Sequence, residues 1–353
     1  MRFKKTALFI LLISSSFVST KLFAQEEEDY SQYENVETTG KPTKNYCTSK
    51  IVGISPSKLI SVGYDFQSSN TLSTGAYHNF NSQNSTIKYN SGLRLMVNVP
   101  VVANVKWLVS LGANYAETKY TLSSATNTLP SVSPLANTLK TNGLTTTGIN
   151  TTIFKPLNAK TFVLAQTSID WNGDYRLGKL PSTNQSKVSA ALLVGNKKHE
   201  RRMFALGISR TYRGGQLLYL PIVLYNYTFV NRKWGIEALL PARAAVRYTI
   251  NSRNMLFAGF ELEGNSYRLN NMMKEFDSPY KALELRRSEI RARITYEFSV
   301  YKFVWLSVQA GYRVNYKFNM DDGEFYGRKK DFVAENKLTN PFYTMISLNL
   351  VSP

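Results

Sequence analysis

The chain has 353 residues, of which 43 are lysine or arginine and 24 aspartate or glutamate, giving a formal net charge of +19 with only two histidines. Its single cysteine, Cys47, excludes an intramolecular disulfide and any cysteine-rich metal site. Cys47 reads as an incidental thiol.

The amino terminus carries Arg2, Lys4 and Lys5, then an apolar run from Ala7 to Val18, then the small-residue end Leu22-Phe23-Ala24. This is the three-part pattern of a secretory signal peptide, expected over residues 1–24. The run is shorter than the roughly 20 residues a membrane helix needs. Loss of Arg2, Lys4, Lys5 and Lys21 with that peptide leaves a net charge of +15, and export argues against the nucleic-acid partner that a basic chain otherwise suggests.

Residues 25–50 hold Glu26, Glu27, Glu28, Asp29, Glu34 and Glu37 and few aliphatic residues. Such a segment buries too little apolar surface to order itself, so a flexible acidic periplasmic leader is expected there. The remaining residues, 51–353, are expected to form one barrel domain.

From Leu59 onward the chain alternates with period two. Over Thr86 to Val99, Ile87, Tyr89, Leu93, Leu95, Val97 and Val99 share one face, and Lys88, Asn90, Gly92, Arg94, Met96 and Asn98 the other; this is a strand pattern, not a helical one. Trp107 to Tyr115 repeats it. Ser288 to Val300 sets Ile290, Ile294, Tyr296, Phe298 and Val300 against Glu289, Arg291, Arg293 and Glu297. A charged face of this kind, at about 2 to 4 kcal/mol per midplane arginine, belongs in a wet or ion-paired interior and not in hydrocarbon.

Similar runs at 59–67, 147–155, 162–171, 187–195, 203–212, 217–229, 235–240, 242–250, 255–266, 303–317 and 341–352 bring the total to 14 strands, with 12 as the alternative. Many runs exceed the roughly 5 to 6 residues of a soluble sandwich strand and match the roughly 9 to 11 that cross a bilayer. Long polar links at 68–85, 120–146, 267–287 and 318–340 alternate with short ones, as in barrels with short periplasmic turns and long outer loops. An even strand number requires Pro241 to mark a turn. The expected fold is therefore all-β, a transmembrane antiparallel up-and-down barrel, monomeric, in the bacterial outer membrane.

Tyr219-Leu220-Pro221, Trp234-Gly235-Ile236-Glu237, Leu240-Pro241-Ala242 and Tyr248 resemble an uncharacterised family of outer-membrane β-barrels of Bacteroidota-type bacteria. The resemblance spans about 217–267 and implies the same fold and location. It supplies no site residues.

Arg94, Arg243, Arg247, Glu261, Glu263, Arg287, Glu289, Arg291, Arg293 and Arg313 fall on inward positions of these runs and are the candidate lumen lining. With Ser266 facing Ser288, Glu261 is expected opposite Arg293 and Glu263 opposite Arg291, as cross-strand ion pairs. The expected function is a passive or gated path for small polar solutes; the alternative is a non-conducting envelope protein that binds a partner through its long outer loops.

Basic rim residues such as Lys119, Arg210, Arg213, Lys274, Lys281, Arg328, Lys329 and Lys330 are expected to meet the phosphates of lipopolysaccharide and outer-membrane lipid. His78 and His199 fall at opposite membrane faces without a nucleophile motif. No enzymatic activity, cofactor or metal is expected.

Overall fold

The computed structural model describes residues 46–123, 133–176, 178–212, 215–323 and 332–352. The expected signal peptide and nearly all of the expected leader lie outside them. The strands run β1 (Lys58–Gln67), β2 (Asn70–Thr74), β3 (Gln83–Ala103), β4 (Leu108–Leu122), β5 (Leu144–Pro156), β6 (Thr161–Gly173), β7 (Ser186–His199) and β8 (Arg202–Thr211). They continue with β9 (Leu218–Thr228), β10 (Trp234–Leu240), β11 (Arg243–Asn251), β12 (Asn254–Arg268), β13 (Glu284–Tyr301), β14 (Val304–Asp321), β15 (Lys337–Leu338) and β16 (Phe342–Val351).

Each strand from β3 to β14 pairs antiparallel with its sequence neighbours; β14 then pairs with β16, β16 with β1, and β1 with β3. That ring is a closed antiparallel barrel of 14 strands. Every run read as a strand from its period is one of these staves. Closure removes the free edges that an open sheet would expose to lipid.

The alternation sorts as the period requires. On β7, Val188, Leu192 and Val194 face out, the last 55% exposed, while Lys187, Leu193 and Lys197 are buried inside. Outward aromatics form two belts. Trp107, Phe229, Trp234, Tyr301 and Phe303 mark the end with short turns, and Phe66, Tyr89, Tyr219, Tyr312, Tyr316 and Phe342 mark the other. An aliphatic band between aromatic girdles is the signature of a barrel wall in a bilayer.

Pro241 does lie in a turn: β10 and β11 pair from Trp234↔Tyr248 to Leu239↔Arg243, with a cis Leu240-Pro241 bond between them. Two expectations shift, one by a local irregularity and one by overall register. A bulge between Ile87 and Tyr89 turns Ile87 inward, fully buried, and leaves Lys88 exposed, so Lys88 is not a lumen residue. The β12–β13 register sets Gly264 opposite Ser288, two residues from the expected alignment.

The long outer links hold structure that the period did not reveal. Strands β2 and β15 pair with each other and β2 with β3, and helices α1 (Pro134–Thr141) and α2 (Asn270–Glu275) sit above the mouth. Leu135, Ala136 and Leu139 at helical spacing bury one face of α1. The helix stops where Gly143 takes φ +69 and returns its N–H to Leu139 O; a Cβ there would strike Thr118 O.

Past Glu261, β12 has no partner residue on β11; it stays with β13, and Arg268 aligns in parallel with Gly173 of β6. The upper β12–β13 ribbon thus leans across the mouth. Leu72, Ile87, Tyr120, Leu135, Leu139, Tyr267, Leu269, Met272, Leu285, Phe318 and Leu338 pack into one apolar core around it. Burial of this kind is worth about 1.5 to 3 kcal/mol per large side chain, so these links are part of the folded body and not free loops.

Candidate functional site

The charged candidates converge at mid-height. Glu289, only 1% exposed, accepts from Arg287 Nη2 at 2.8 Å, Arg291 Nε at 2.7 Å and Arg313 Nη1 at 2.8 Å. Arg313 also reaches Asp65 on β1, and Arg291 reaches Glu263 on β12. Arg94 on β3 bonds both Asp65 at 3.0 Å and Glu263 at 3.1 Å.

Strands β3 and β12 are separated in the ring by β1, β16, β14 and β13. The Arg94–Glu263 bond therefore crosses the interior and does not run along the wall. Arg287 Nη1 reaches Thr118 Oγ1 on β4 at 3.4 Å by a second crossing. Charges this buried persist only when each is paired and hydrogen-bonded.

The ion pairs expected from the sequence form, though not by the expected geometry. Glu261 lies opposite Arg291 and Glu263 opposite Glu289, yet the bonds run Glu261–Arg293 and Glu263–Arg291. Each is a diagonal pair two residues along the partner strand, a separation within reach of an arginine. Asp65, whose inward position on β1 follows from the period, completes the cluster, its carboxylate joining Arg94 and Arg313.

Two candidates lie elsewhere. Arg247 is fully buried near the periplasmic end, where Nε donates to Glu237 Oε1 at 2.9 Å and Nη2 to Thr228 Oγ1 at 3.0 Å. Arg243 sits beside the β10–β11 turn and is exposed.

The β5–β11 side of the interior is different in kind. The inward positions of β6, β7, β8 and β11 carry Gln166, Ser168, Ser189, Ala191, Gly207, Ser209 and Ala245, all at least partly exposed. Glu261 and Arg293, with side chains 23% and 24% exposed, close the cluster on that side. The interior is therefore packed with ion pairs on one flank and lined by partly exposed, mostly small and polar side chains on the other.

Toward the periplasm this flank is lined by the segment that leads into β1. Cys47, Ile51 and Ile54 pack on Phe154, Phe162, Leu193, Met203 and Ile222. Lys197 Nζ donates to Thr48 O at 3.3 Å, Thr48 Oγ1 at 2.7 Å and Lys50 O at 2.7 Å. Ser55 N and Oγ donate to Glu237 at 3.3 and 3.1 Å. The last residues of the expected leader, 46–50, are thus docked against the wall, and burial pushes the Cys47 thiol up. Lys197 was legible only as part of a basic turn; nothing local announced that it points inward to a segment some 150 residues earlier.

Among the described residues no cluster of three or more histidine, cysteine, aspartate or glutamate side chains is arranged to hold a metal. His78 lies in the first outer link and His199 at the periplasmic end of β7, as expected.

The molecule is a bacterial outer-membrane β-barrel of porin-like architecture: the ring is closed, its outside is aliphatic between two aromatic belts, and its inside is polar. No family model matches the chain, and no curated protein matches it.

Among solved structures it is similar to an outer-membrane channel from Pseudomonas putida F1, at 11% identity, covering 89% of this chain and 100% of that one with a TM-score of 0.36. The Pseudomonas putida toluene transporter TodX aligns at 11% identity over 87% of this chain and 95% of its own, TM-score 0.33. LpxR from Salmonella typhimurium aligns at 8% identity over 83% and 100%, TM-score 0.34.

Proposed function

We propose that the protein is a gated path for small polar solutes across the outer membrane. The observation that carries this reading is the polar, partly exposed inward flank lined by Gln166, Ser168, Ser189 and Ser209 and edged by Glu261 and Arg293. It leads down to a closure made by a segment and not by the barrel wall. Passage then requires residues 46–57 to leave the wall, to which they are held by the side chains of Lys197 and Glu237 and by the backbone bonds Cys47 N to Asn158 O and Val52 N to Glu200 O. The gated form is favoured over the passive one because the docked segment lies on the periplasmic side of that flank.

The test is single-channel recording in planar bilayers. Wild type should conduct rarely and in brief openings, whereas Lys197→Ala with Glu237→Ala should raise the open fraction by about tenfold, the effect of losing about 1.4 kcal/mol of closure. Silence in both proteins contradicts the reading.

A second reading, a non-conducting envelope protein, draws support from the apolar core of the outer links and the ion pairs that cross the interior. Its expected contact loops, 120–146 and 318–340, lie partly outside the described residues. Under that reading the double variant stays silent and removal of either loop abolishes partner binding.

A further inference from the structure

Six short turns close the periplasmic end of the barrel, at 104–107, 157–160, 200–201, 229–233, 252–253 and 302–303. Every one carries a cation. Between the strands they hold Lys106, Lys160, Arg201, Arg232, Lys233, Arg253 and Lys302, seven in all, against the one carboxylate of Glu200. Lys198 and Arg202 flank the third turn.

The outer links offer a control within the same molecule. By sequence they carry Lys140, Arg176, Lys179, Arg213, Lys274, Lys281, Arg328, Lys329, Lys330 and Lys337 against Asp174, Glu275, Asp277, Asp322, Glu324, Asp331 and Glu335, ten against seven, where the periplasmic turns hold seven against one. A general need for solubility would not separate the two ends in this way. A basic excess is expected at the outer rim, facing lipopolysaccharide; by sequence the excess in the periplasmic turns is twice as large.

Depth adds a second observation. Trp107, Phe229, Trp234, Tyr301 and Phe303 are exposed to the outside beside these turns, and such a belt sits at headgroup level. Two cations are tied to it: Lys155 Nζ lies 4.3 Å over the Trp107 ring and Lys302 Nζ 5.4 Å over Tyr301. Lys106, Lys160, Arg202, Arg232, Lys233, Arg253 and Lys302 are all exposed. The charges therefore lie just beyond the girdle, at the level where lipid phosphates run.

We propose that these turns form a collar that binds anionic phospholipid headgroups of the periplasmic leaflet. Its ligand is a phosphodiester lipid carrying net negative charge, the phosphatidylglycerol class, selected over zwitterionic lipid of the same chain length. The collar encircles the end that the docked segment lines, and its assignment does not depend on whether the barrel conducts.

The probe is a pair of spin-labelled lipids, phosphatidylglycerol and phosphatidylcholine, added to the full-length protein in phosphatidylcholine vesicles, with the protein-bound fraction read by electron paramagnetic resonance. Attraction of about 1 kcal/mol per surface cation corresponds to a selection of about fivefold per engaged headgroup for phosphatidylglycerol. This preference should vanish in about 1 M salt, where the Debye length is about 3 Å.

A variant with Arg201→Gln, Arg202→Gln, Arg232→Gln and Lys233→Gln should lose most of the preference, and an outer-link variant with Lys274→Gln and Lys281→Gln should keep it. Equal binding of the two lipids to wild type overturns the proposal, as does a preference that survives high salt or follows the outer-link variant. Should the fourfold variant not assemble, the salt dependence of wild type decides alone. Equal lipid binding together with salt-sensitive capture of an acidic periplasmic protein would also overturn it, in favour of a protein partner.

Discussion

Glu289 shows how the interior is held together, since three guanidinium groups converge on one carboxylate that water does not reach. Removing one member of a buried charge set strands the others and typically costs about 3 to 5 kcal/mol. Glu289→Ala is therefore expected to lower the unfolding free energy in urea, measured in detergent or lipid, by about that amount. Lys119→Ala is the contrast: its bond to Glu117 at 2.9 Å leaves the lysine side chain 65% exposed, so the change should stay below about 1 kcal/mol. Most of this cluster was legible, because a charged residue at every second position of an otherwise apolar run has only one tolerable side. The partners across the lumen were not. Arg94 and Glu263 meet because the ring closes, a fact that no local pattern contains. Lys88 was misplaced for the opposite reason, since one extra residue in a bulge inverts the faces beyond it.

Strands that cross a bilayer announce themselves by length and alternation, and this is why all the staves were readable, while the outer links were not. Elements such as α1 and β2 are short and depend on packing into the core over the mouth. Helix α2 depends on Asp174, a fully buried carboxylate that accepts the backbone N–H groups of Asn271 at 3.2 Å and Met272 at 2.9 Å. Asp174→Ala leaves both donors without that partner, so hydrogen exchange at Asn271 and Met272 should speed up by an amount equivalent to about 1 to 3 kcal/mol. Burial raises the Asp174 carboxyl above its ordinary value, although the Met272 and Asn271 amides oppose the shift. A raised carboxyl gives stability that is present below the unfolded value and is lost as pH rises through the folded one. Protection of α2, corrected for intrinsic exchange, should accordingly be no weaker at about pH 5 than at about pH 7.

At the scale of the whole molecule, three layers occupy the lumen: the apolar core of the outer links, the charge cluster at mid-height, and residues 46–57 against the periplasmic wall. Each lies inside a wall whose outer surface is aliphatic, and all three depend on the same alternation. That alternation is tested most directly by spin labels placed one at a time along Lys187 to Val194 in a Cys47→Ser background, with oxygen and a polar nickel chelate as competing relaxers. Labels at Val188, Leu192 and Val194 should be reached by oxygen from the lipid, and labels at Lys187, Ser189 and Leu193 should not, giving an oscillation of period two. Accessibility that is uniform along the segment, or that repeats every three to four residues, would contradict the barrel and everything built on it.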